Sequence, residues 1–397
     1  MTADKLALLG GEPEFLKTFP IIRPNYDKYL DEITPLLQEI LHSNMVSGVN
    51  RKVVELEDKL CQVLEVDHVV AISSCTSGMI LALQAAGLRS KEILIPSFSF
   101  SATAHMAYWN NASIKAIDCD PDTFNISLTD LRQNYTKKSK AVLAVHLYGN
   151  PCEINELEEF CEKKDLLLFF DAAHALGSKY KGQAIGGQGA ANSFSASPTK
   201  LYSTVEGGFL TTNNEDIAEK VRIGRNYGNF SDYTCINPGL NARMTELQAA
   251  IGLVTLRDIP TFVSNRNKYA KIYTETLKSI PGVKFQKITS DSISTYKDYS
   301  IMINPETFGV DRNLLAKALL AENIQTKFYF FPPIHQLDAY AQNEIGPLPV
   351  TNELAKSVIS LPIHNFMKEA DIKRITSCIK AVHEDSDVIK THFRHGS

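Results

Sequence analysis

The sequence predicts an α/β fold, in which a mostly parallel sheet has helices on both faces and a small α+β lobe follows. Short apolar runs typical of buried strands alternate with amphipathic helical segments between residues 51 and 225, as parallel strands require. After residue 260 this alternation is lost. The 397 residues, 44% of them hydrophobic, suffice for a large core. We expect an N-terminal arm and large domain over residues 1–260 and a small domain over residues 261–397.

The strands of the large domain are expected where apolar or β-branched runs lie between turn residues. They are residues 68–73, 92–96, 114–118, 140–147, 166–170, 192–195 and 209–212. Helices are expected where apolar residues recur on one face or a run ends at glycine. They lie near residues 29–43, 51–64, 78–87, 101–109, 154–164, 216–225, 244–253 and 260–277. The small lobe combines segments 299–303 and 326–330 with helices near 312–321, 351–359 and 369–383.

Composition excludes several classes of protein. The net charge is −4 and no basic block occurs, so nucleic acid is not an expected partner. No run of 18 apolar residues predicts a membrane span, and the N-terminus lacks the basic region of a signal peptide. The seven cysteines include no CxxC pair, which predicts reduced thiols in a cytoplasmic protein and no metal site.

Polar or aromatic residues follow several of the predicted strands. Thr76, Phe100, Gly149, Asp171 and Ser195 all lie at a strand end or just beyond one. Because the carboxyl ends of parallel strands share one edge of the sheet, we expect these residues to surround the functional site.

Asp171 and Lys200 suggest the chemistry of that site. Asp171 ends an apolar strand, and Lys200 follows about 30 residues later in a loop rich in Ser, Pro and Thr. Pyridoxal phosphate enzymes need such a pair, since the lysine forms a Schiff base and the acid keeps the pyridine nitrogen protonated. Taken alone, the two residues also fit a solvated lysine and a helix-capping aspartate.

The turn after the first strand of the sheet suits an anion. Cys75, Thr76 and Ser77 lead from this strand into a helix, and a helix start offers free N–H groups and a favourable dipole to a phosphate. An ordinary N-cap by Ser or Thr explains the same residues.

Seven motifs in order carry a family resemblance: SSCTSG, PSFSFSATAH, VHLYGNP, FDAAHALGS, FSASPTK, VEGG and GLNARMTELQAAIG. Over about residues 8–364, the chain resembles the DegT/DnrJ/StrS-type sugar aminotransferases, which are fold-type I pyridoxal phosphate enzymes with a seven-stranded sheet. The resemblance implies that Lys200 is the Schiff-base lysine and that Asp171 pairs with the pyridine nitrogen.

The resemblance also assigns the other cofactor contacts. Phe100 would stack on the ring, His174 would lie near its O3′ side, and Ser195 would help to hold the phosphate. Thr76 and Ser77 would be the main phosphate ligands, and Asn241 would reach the phosphate of the neighbouring subunit, which implies a homodimer with shared sites. Three alternatives remain from the residues alone: Phe100 as plain core, Ser195 as a turn residue, and Asn241 as the cap of a helix that begins at Met244.

The resemblance implies transfer of an amino group from L-glutamate to a nucleotide-linked keto sugar, most often a dTDP-4-keto-6-deoxyhexose, for amino-sugar biosynthesis. Lys327, Tyr329 and His335 are the candidates for substrate contacts, although Tyr329 also fits lobe core and His335 a satisfied loop histidine. A cyclitol ketone is the alternative acceptor, suggested by LALLGGEP near the N-terminus. A subgroup of the family dehydrates sugars and replaces the lysine with histidine, so the presence of Lys200 disfavours dehydration.

Overall fold

A computed structural model describes residues 5–24, 26–230, 233–340 and 346–395. Its helices are α1 Leu30–Ser43, α2 Arg51–Leu64, α3 Cys75–Ala85, α4 Ser101–Tyr108, α5 Leu128–Asn134, α6 Ile154–Lys164, α7 Glu215–Gly224, α8 Glu246–Thr255, α9 Ile259–Leu277, α10 Pro305–Phe308, α11 Arg312–Ala321, α12 Pro349–Ser357, α13 Glu369–Glu384 and α14 Ser386–His395. Its strands are β1 His68–Ile72, β2 Glu92–Pro96, β3 Ser113–Ile117, β4 Ser139–Val145, β5 Leu167–Asp171, β6 Lys179–Tyr180, β7 Gln183–Ala184, β8 Ala191–Ser195, β9 Gly208–Thr212, β10 Val283–Phe285, β11 Ser292–Ile293, β12 Tyr299–Ile303 and β13 Val358–Leu361.

The central sheet has seven strands in the order β1-β9-β8-β5-β4-β2-β3. The pairs from β8 to β3 are all parallel, whereas β9 runs antiparallel to both β1 and β8. The predicted α/β fold with a mostly parallel seven-stranded sheet is therefore confirmed.

Both faces of this sheet are buried, which explains why its strands are nearly continuous apolar runs. In β2, Ile93 and Ile95 pack on one face and Leu94 on the other, and none of them is exposed. Helices α3, α4 and α7 pack near the first face, and α2, α6 and α8 contribute to the core on the second.

The parallel register brings the strand ends together. Val145 of β4 pairs with Asp171 of β5, and Asp171 pairs with Ser193 of β8. Side chains that follow these strands therefore meet at one edge of the sheet, as the sequence predicts.

The C-terminal lobe has its own antiparallel sheet of order β10-β12-β13. The predicted helix over residues 351–359 is wrong at its end, because α12 ends at Ser357 and Val358 begins β13. Residues 326–330 form no named strand; Lys327 makes an isolated bridge with Ser360.

The N-terminal arm packs against this lobe. The Glu322 carboxylate accepts hydrogen bonds from the backbone of Ala7 at 2.7 Å and of Glu14 at 2.8 Å. Helix α9 contributes its first half to the core beneath the large sheet and its second half to the core of the lobe. The division at residue 260 stays a prediction. In the described part of the chain, no helix combines the length and the apolar character needed to cross a bilayer.

Candidate active site

A cleft of about 330 Å³ opens at the carboxyl edge of the central sheet. Several of the predicted site residues line it: Thr76, Phe100, Asp171, His174, Ser195, Lys200 and Tyr329. Their side chains come from separate strand ends and loops, so the sheet brings them together as expected.

Asp171 is the last residue of β5, and its carboxylate is only 4% exposed. Oδ2 accepts a hydrogen bond from Thr103 Oγ1 at 2.9 Å, and Oδ1 accepts one from the Ala173 amide at 3.1 Å. Burial raises the pKa of this carboxyl despite these bonds. A cation at hydrogen-bond distance would favour the charged form, which suits a carboxylate that faces a protonated pyridine nitrogen.

Lys200 follows β8 in the loop that ends at β9. Neither a hydrogen bond nor an ion pair joins its Nζ to the described residues. Burial, and after it the ammonium of Lys297, lower the pKa of Lys200 from its ordinary 10.5 to about 8. At pH 7.4 roughly a fifth of this amine is therefore neutral, compared with about one part in a thousand for an ordinary lysine. A nucleophile or general base requires this neutral form.

The start of α3 forms another part of the cleft. Ser74 caps this helix, since its side chain accepts a hydrogen bond from the Ser77 amide at 3.1 Å. The Ser77 hydroxyl bonds within the same turn, whereas Thr76 lines the cleft. Ser195 lines the cleft too, although its Oγ accepts a 3.4 Å hydrogen bond from the Ser197 amide. The first turn of α3 thus offers the amides and hydroxyls that a phosphate needs.

Aromatic rings line another part of the cleft. Phe100 is 57% exposed, which excludes the alternative of a plain core residue. The His174 ring stacks on Phe330, with centroids 6.3 Å apart. Its Nδ1 accepts a hydrogen bond from the Tyr148 amide at 3.1 Å, so the proton of the neutral ring lies on Nε2. Burial keeps this ring neutral by lowering its pKa well below the ordinary range.

Asn241 does not line the cleft of its own chain. It is exposed and makes an isolated bridge with Asn226. The suggestion that Asn241 caps the following helix is wrong, because α8 begins at Glu246 and its cap is Thr245.

The three predicted substrate contacts are not brought together. Tyr329 lines the cleft, but Lys327 is exposed and lines a different hollow beside α11. His335 has polar partners on both ring nitrogens: Ser97 Oγ lies 2.7 Å from Nδ1, and Asn352 Oδ1 lies 3.1 Å from Nε2. This arrangement matches the alternative of a satisfied loop histidine.

Lys297 also lines the cleft, and the motifs gave no sign of it. Its Nζ forms an ion pair with Asp298 at 2.8 Å. The two residues precede β12, far along the chain from Lys200. Adjacent Lys and Asp in a sequence usually indicate solvated surface, so no local signal distinguishes this pair.

Comparison with known proteins agrees with this geometry. The sequence model of the DegT/DnrJ/EryC1/StrS aminotransferase family matches residues 28–380. The chain belongs to this family. A dTDP-4-amino-4,6-dideoxy-D-glucose transaminase of Escherichia coli is 31% identical over 91% of this chain and 98% of its own length. A GDP-perosamine synthase of Caulobacter vibrioides is 30% identical over 87% of this chain and 93% of its own.

A solved structure of the DegT/DnrJ/EryC1/StrS type matches almost the whole chain. The crystal structure of DesI in the presence of its TDP-sugar product has a TM-score of 0.92 and 32% identity, and the match covers 98% of this chain and 99% of that one. The fold-type I assignment is thereby confirmed, and the chain is a pyridoxal phosphate-dependent aminotransferase. The residues of the cleft fit this cofactor, because a buried carboxylate, a helix start and an amine without a partner among the described residues converge there.

Proposed function

We propose that this enzyme moves an amino group from L-glutamate to a nucleotide-linked keto sugar in amino-sugar biosynthesis. The observation that carries the proposal is the convergence of the Lys200 amine and the Asp171 carboxylate on one cleft. The named transaminase of Escherichia coli and the DesI structure with a TDP-sugar favour a dTDP-4-keto-6-deoxyhexose as the acceptor.

Pyridoxal phosphate, when bound, supplies the electron sink for transamination. The chain supplies the proton transfers and the charges around it. Lys200, with its pKa lowered to about 8, can take a proton from the donor's Cα onto its Nζ and release it again within the same half-reaction. A base with a pKa near the working pH is most effective in such a step. Asp171 provides the fixed negative charge that stabilises a positive ring nitrogen.

The two substrates use the same amine in turn. Because Lys200 would serve both half-reactions in the cleft that it shares with Asp171 and His174, donor and acceptor cannot react there at the same time. A ping-pong kinetic pattern follows, in which 2-oxoglutarate leaves before the sugar binds.

The shared-site homodimer is part of the proposal. Asn241 is exposed and lies outside its own cleft, which is the arrangement expected of a residue that serves a neighbouring subunit. Mixing Lys200→Ala and Asn241→Ala proteins tests this, because a hybrid dimer would contain one intact site. We expect recovery of about a quarter of wild-type turnover, and no recovery would contradict shared sites.

The free state of the cysteines supports a cytoplasmic location. All seven cysteines are free, and most of them are buried, as in proteins that fold in a reducing compartment.

Product analysis tests the proposed reaction. The enzyme would be incubated with L-glutamate labelled with heavy nitrogen and a panel of acceptors: dTDP-linked and GDP-linked keto sugars and a cyclitol ketone. We expect the label in an amine on the dTDP-linked sugar. Label in the cyclitol would favour the alternative acceptor, and an unlabelled deoxy keto sugar would indicate dehydration.

A further inference from the structure

Lys297, a residue of the cleft wall, forms a buried ion pair with Asp298. The Lys297 Nζ lies 2.8 Å from Asp298 Oδ1, and the two side chains are 5% and 2% exposed. Lys297 itself lines the cleft together with Lys200. A cation is thus fixed beside the reactive amine.

Backbone and side-chain contacts hold Lys297 in place. The Lys297 amide donates a hydrogen bond to the Tyr148 carbonyl at 2.8 Å. The Lys297 carbonyl accepts one from Arg266 Nη1 at 3.2 Å. The Lys297 ammonium also lies 4.8 Å from the centroid of the Tyr329 ring. Its position therefore depends on three separate elements of the fold.

Stability alone does not account for this arrangement. Asp298 Oδ2 is buried and has no hydrogen-bond partner among the described residues. Desolvation of two charges is costly, and a buried ion pair often contributes no net stability compared with apolar residues of the same size. An incompletely satisfied pair whose lysine lines a cleft suggests a role in the chemistry there.

We propose that Lys297 and Asp298 are positioning residues for Lys200: the Lys297 ammonium is the fixed positive charge that favours the neutral form of the Lys200 amine, and Asp298 holds this ammonium in place and offsets part of its charge. This assignment rests on Lys200 being the reactive amine of the proposed function. It adds two residues to the transamination site that neither their chain position nor any motif indicates.

The electrostatic effects on Lys200 have opposite signs for the two partners. Lys297 lowers the pKa of Lys200, whereas Asp298 raises it. The titratable groups that act on Lys200 or share its cleft are Cys75, Asp171, His174, Lys297, Asp298 and Tyr329. The Cys75 thiol and the His174 ring are kept neutral by burial. Lys297 is thus the one cation among these groups.

The opposite signs give a sharp test. Full-length protein prepared without cofactor would be labelled with acetic anhydride over a range of pH, and the Lys200 peptide would be followed by mass spectrometry. Only the neutral amine reacts, so the midpoint of the labelling profile reports the pKa of Lys200. The variants are Lys297→Met, Lys297→Arg and Asp298→Asn. Lys327→Met is the matched control, since Lys327 is exposed outside the cleft.

We expect the Lys200 midpoint near pH 8 in the wild type. The midpoint should rise by about one pH unit in Lys297→Met, since a neighbouring charge shifts a pKa by about this much. It should stay near the wild-type value in Lys297→Arg, which keeps the positive charge, and it should fall in Asp298→Asn. An unchanged midpoint in Lys297→Met, or shifts of the same sign in Lys297→Met and Asp298→Asn, would overturn the proposal. If Lys297→Met does not fold, Asp298→Asn decides: a lower midpoint supports the proposal, and an unchanged or higher midpoint overturns it.

This labelling requires neither cofactor nor turnover. A failure of the proposed amino transfer would therefore leave the midpoints interpretable, and unchanged midpoints would refute the role of the pair without affecting the proposed function.

Discussion

Replacing Asp171 by Asn removes the negative charge from the cleft and preserves the shape of the side chain. The carboxylate is buried and accepts hydrogen bonds from Thr103, from the Ala173 amide and from the Cys75 thiol. An amide oxygen can still accept from Ala173. The Thr103 hydroxyl, which also lies 2.9 Å from Ser99 Oγ, can reverse its direction and accept from the new amide. We therefore expect Asp171→Asn to fold.

The loss of this charge should lower the rate of amino transfer strongly. Two unit charges about 4 Å apart interact by about 4 kcal/mol at an effective dielectric constant of about 20. If this interaction stabilises mainly the transition state, the rate of amino transfer falls about 10³-fold.

A single-turnover assay with L-glutamate measures this rate, and urea unfolding measures stability alongside. Asp118→Asn is a matched control, since Asp118 is another buried carboxylate that directly follows a strand of the same sheet. Its oxygens accept hydrogen bonds from Thr351 and Val350, outside the cleft. Asp118→Asn should lower the free energy of unfolding and leave the rate per folded molecule within a few-fold. An Asp171→Asn rate within about ten-fold of wild type would refute the assigned role.

Substitutions of three other side chains separate effects on the free energy of unfolding from effects on cofactor binding. Phe100→Ala should change the free energy of unfolding by no more than about 0.5 kcal/mol, because the ring is 57% exposed. Its dissociation constant for pyridoxal phosphate, measured by dialysis, should rise about ten-fold through loss of the stacking contact; unchanged affinity would count against stacking. Burial lowers the pKa of His146 from 6.5 to about 3, so the unfolded chain takes up this proton first as the pH falls. The folded state should lose about 1.4 kcal/mol between about pH 7.5 and 5.5 through this residue. Urea titrations of wild type and His146→Phe check this, and equal slopes would contradict it. The Glu246 carboxylate accepts hydrogen bonds from three backbone amides at the start of α2. Glu246→Ala should cost about 2 kcal/mol in urea unfolding, unlike the exposed Glu219→Ala; equal costs would show that these bonds contribute little.

The central sheet and the residues that line the cleft could be predicted because their signals are local. Every residue of β5 before Asp171 is apolar, because this strand is covered on both faces of the sheet. Once the strands are assigned, parallel pairing requires their carboxyl ends to meet. The placement of Thr76, Phe100 and Lys200 at one cleft follows from this topology, together with the motifs.

The Lys297–Asp298 pair could not be predicted in this way. Lys297 comes to the cleft of Lys200 only because the C-terminal lobe packs on the large domain. Such proximity between residues far apart in the sequence leaves no periodic signal. His335 shows the opposite case. A histidine in a motif suggests chemistry, but Ser97 and Asn352 occupy its ring nitrogens.

Strand β13 explains why the predicted helix over residues 351–359 is wrong at its end. Val358 follows α12 without any Gly, Pro or Asn to separate them, so the helical pattern continues into the strand. Pairing with β12 decides the conformation of these residues, since β-branched side chains suit the interior of a sheet.

The absorbance spectrum of the purified protein before and after L-glutamate tests the proposed amino transfer through Lys200 most directly. The enzyme as described should show a visible band from pyridoxal phosphate joined to Lys200, and glutamate should bleach it. Lys200→Ala, with Asp171 and the start of α3 intact, should bind the cofactor without that band. A protein that shows no band after addition of pyridoxal phosphate, or a band that no amino donor changes, would contradict the account.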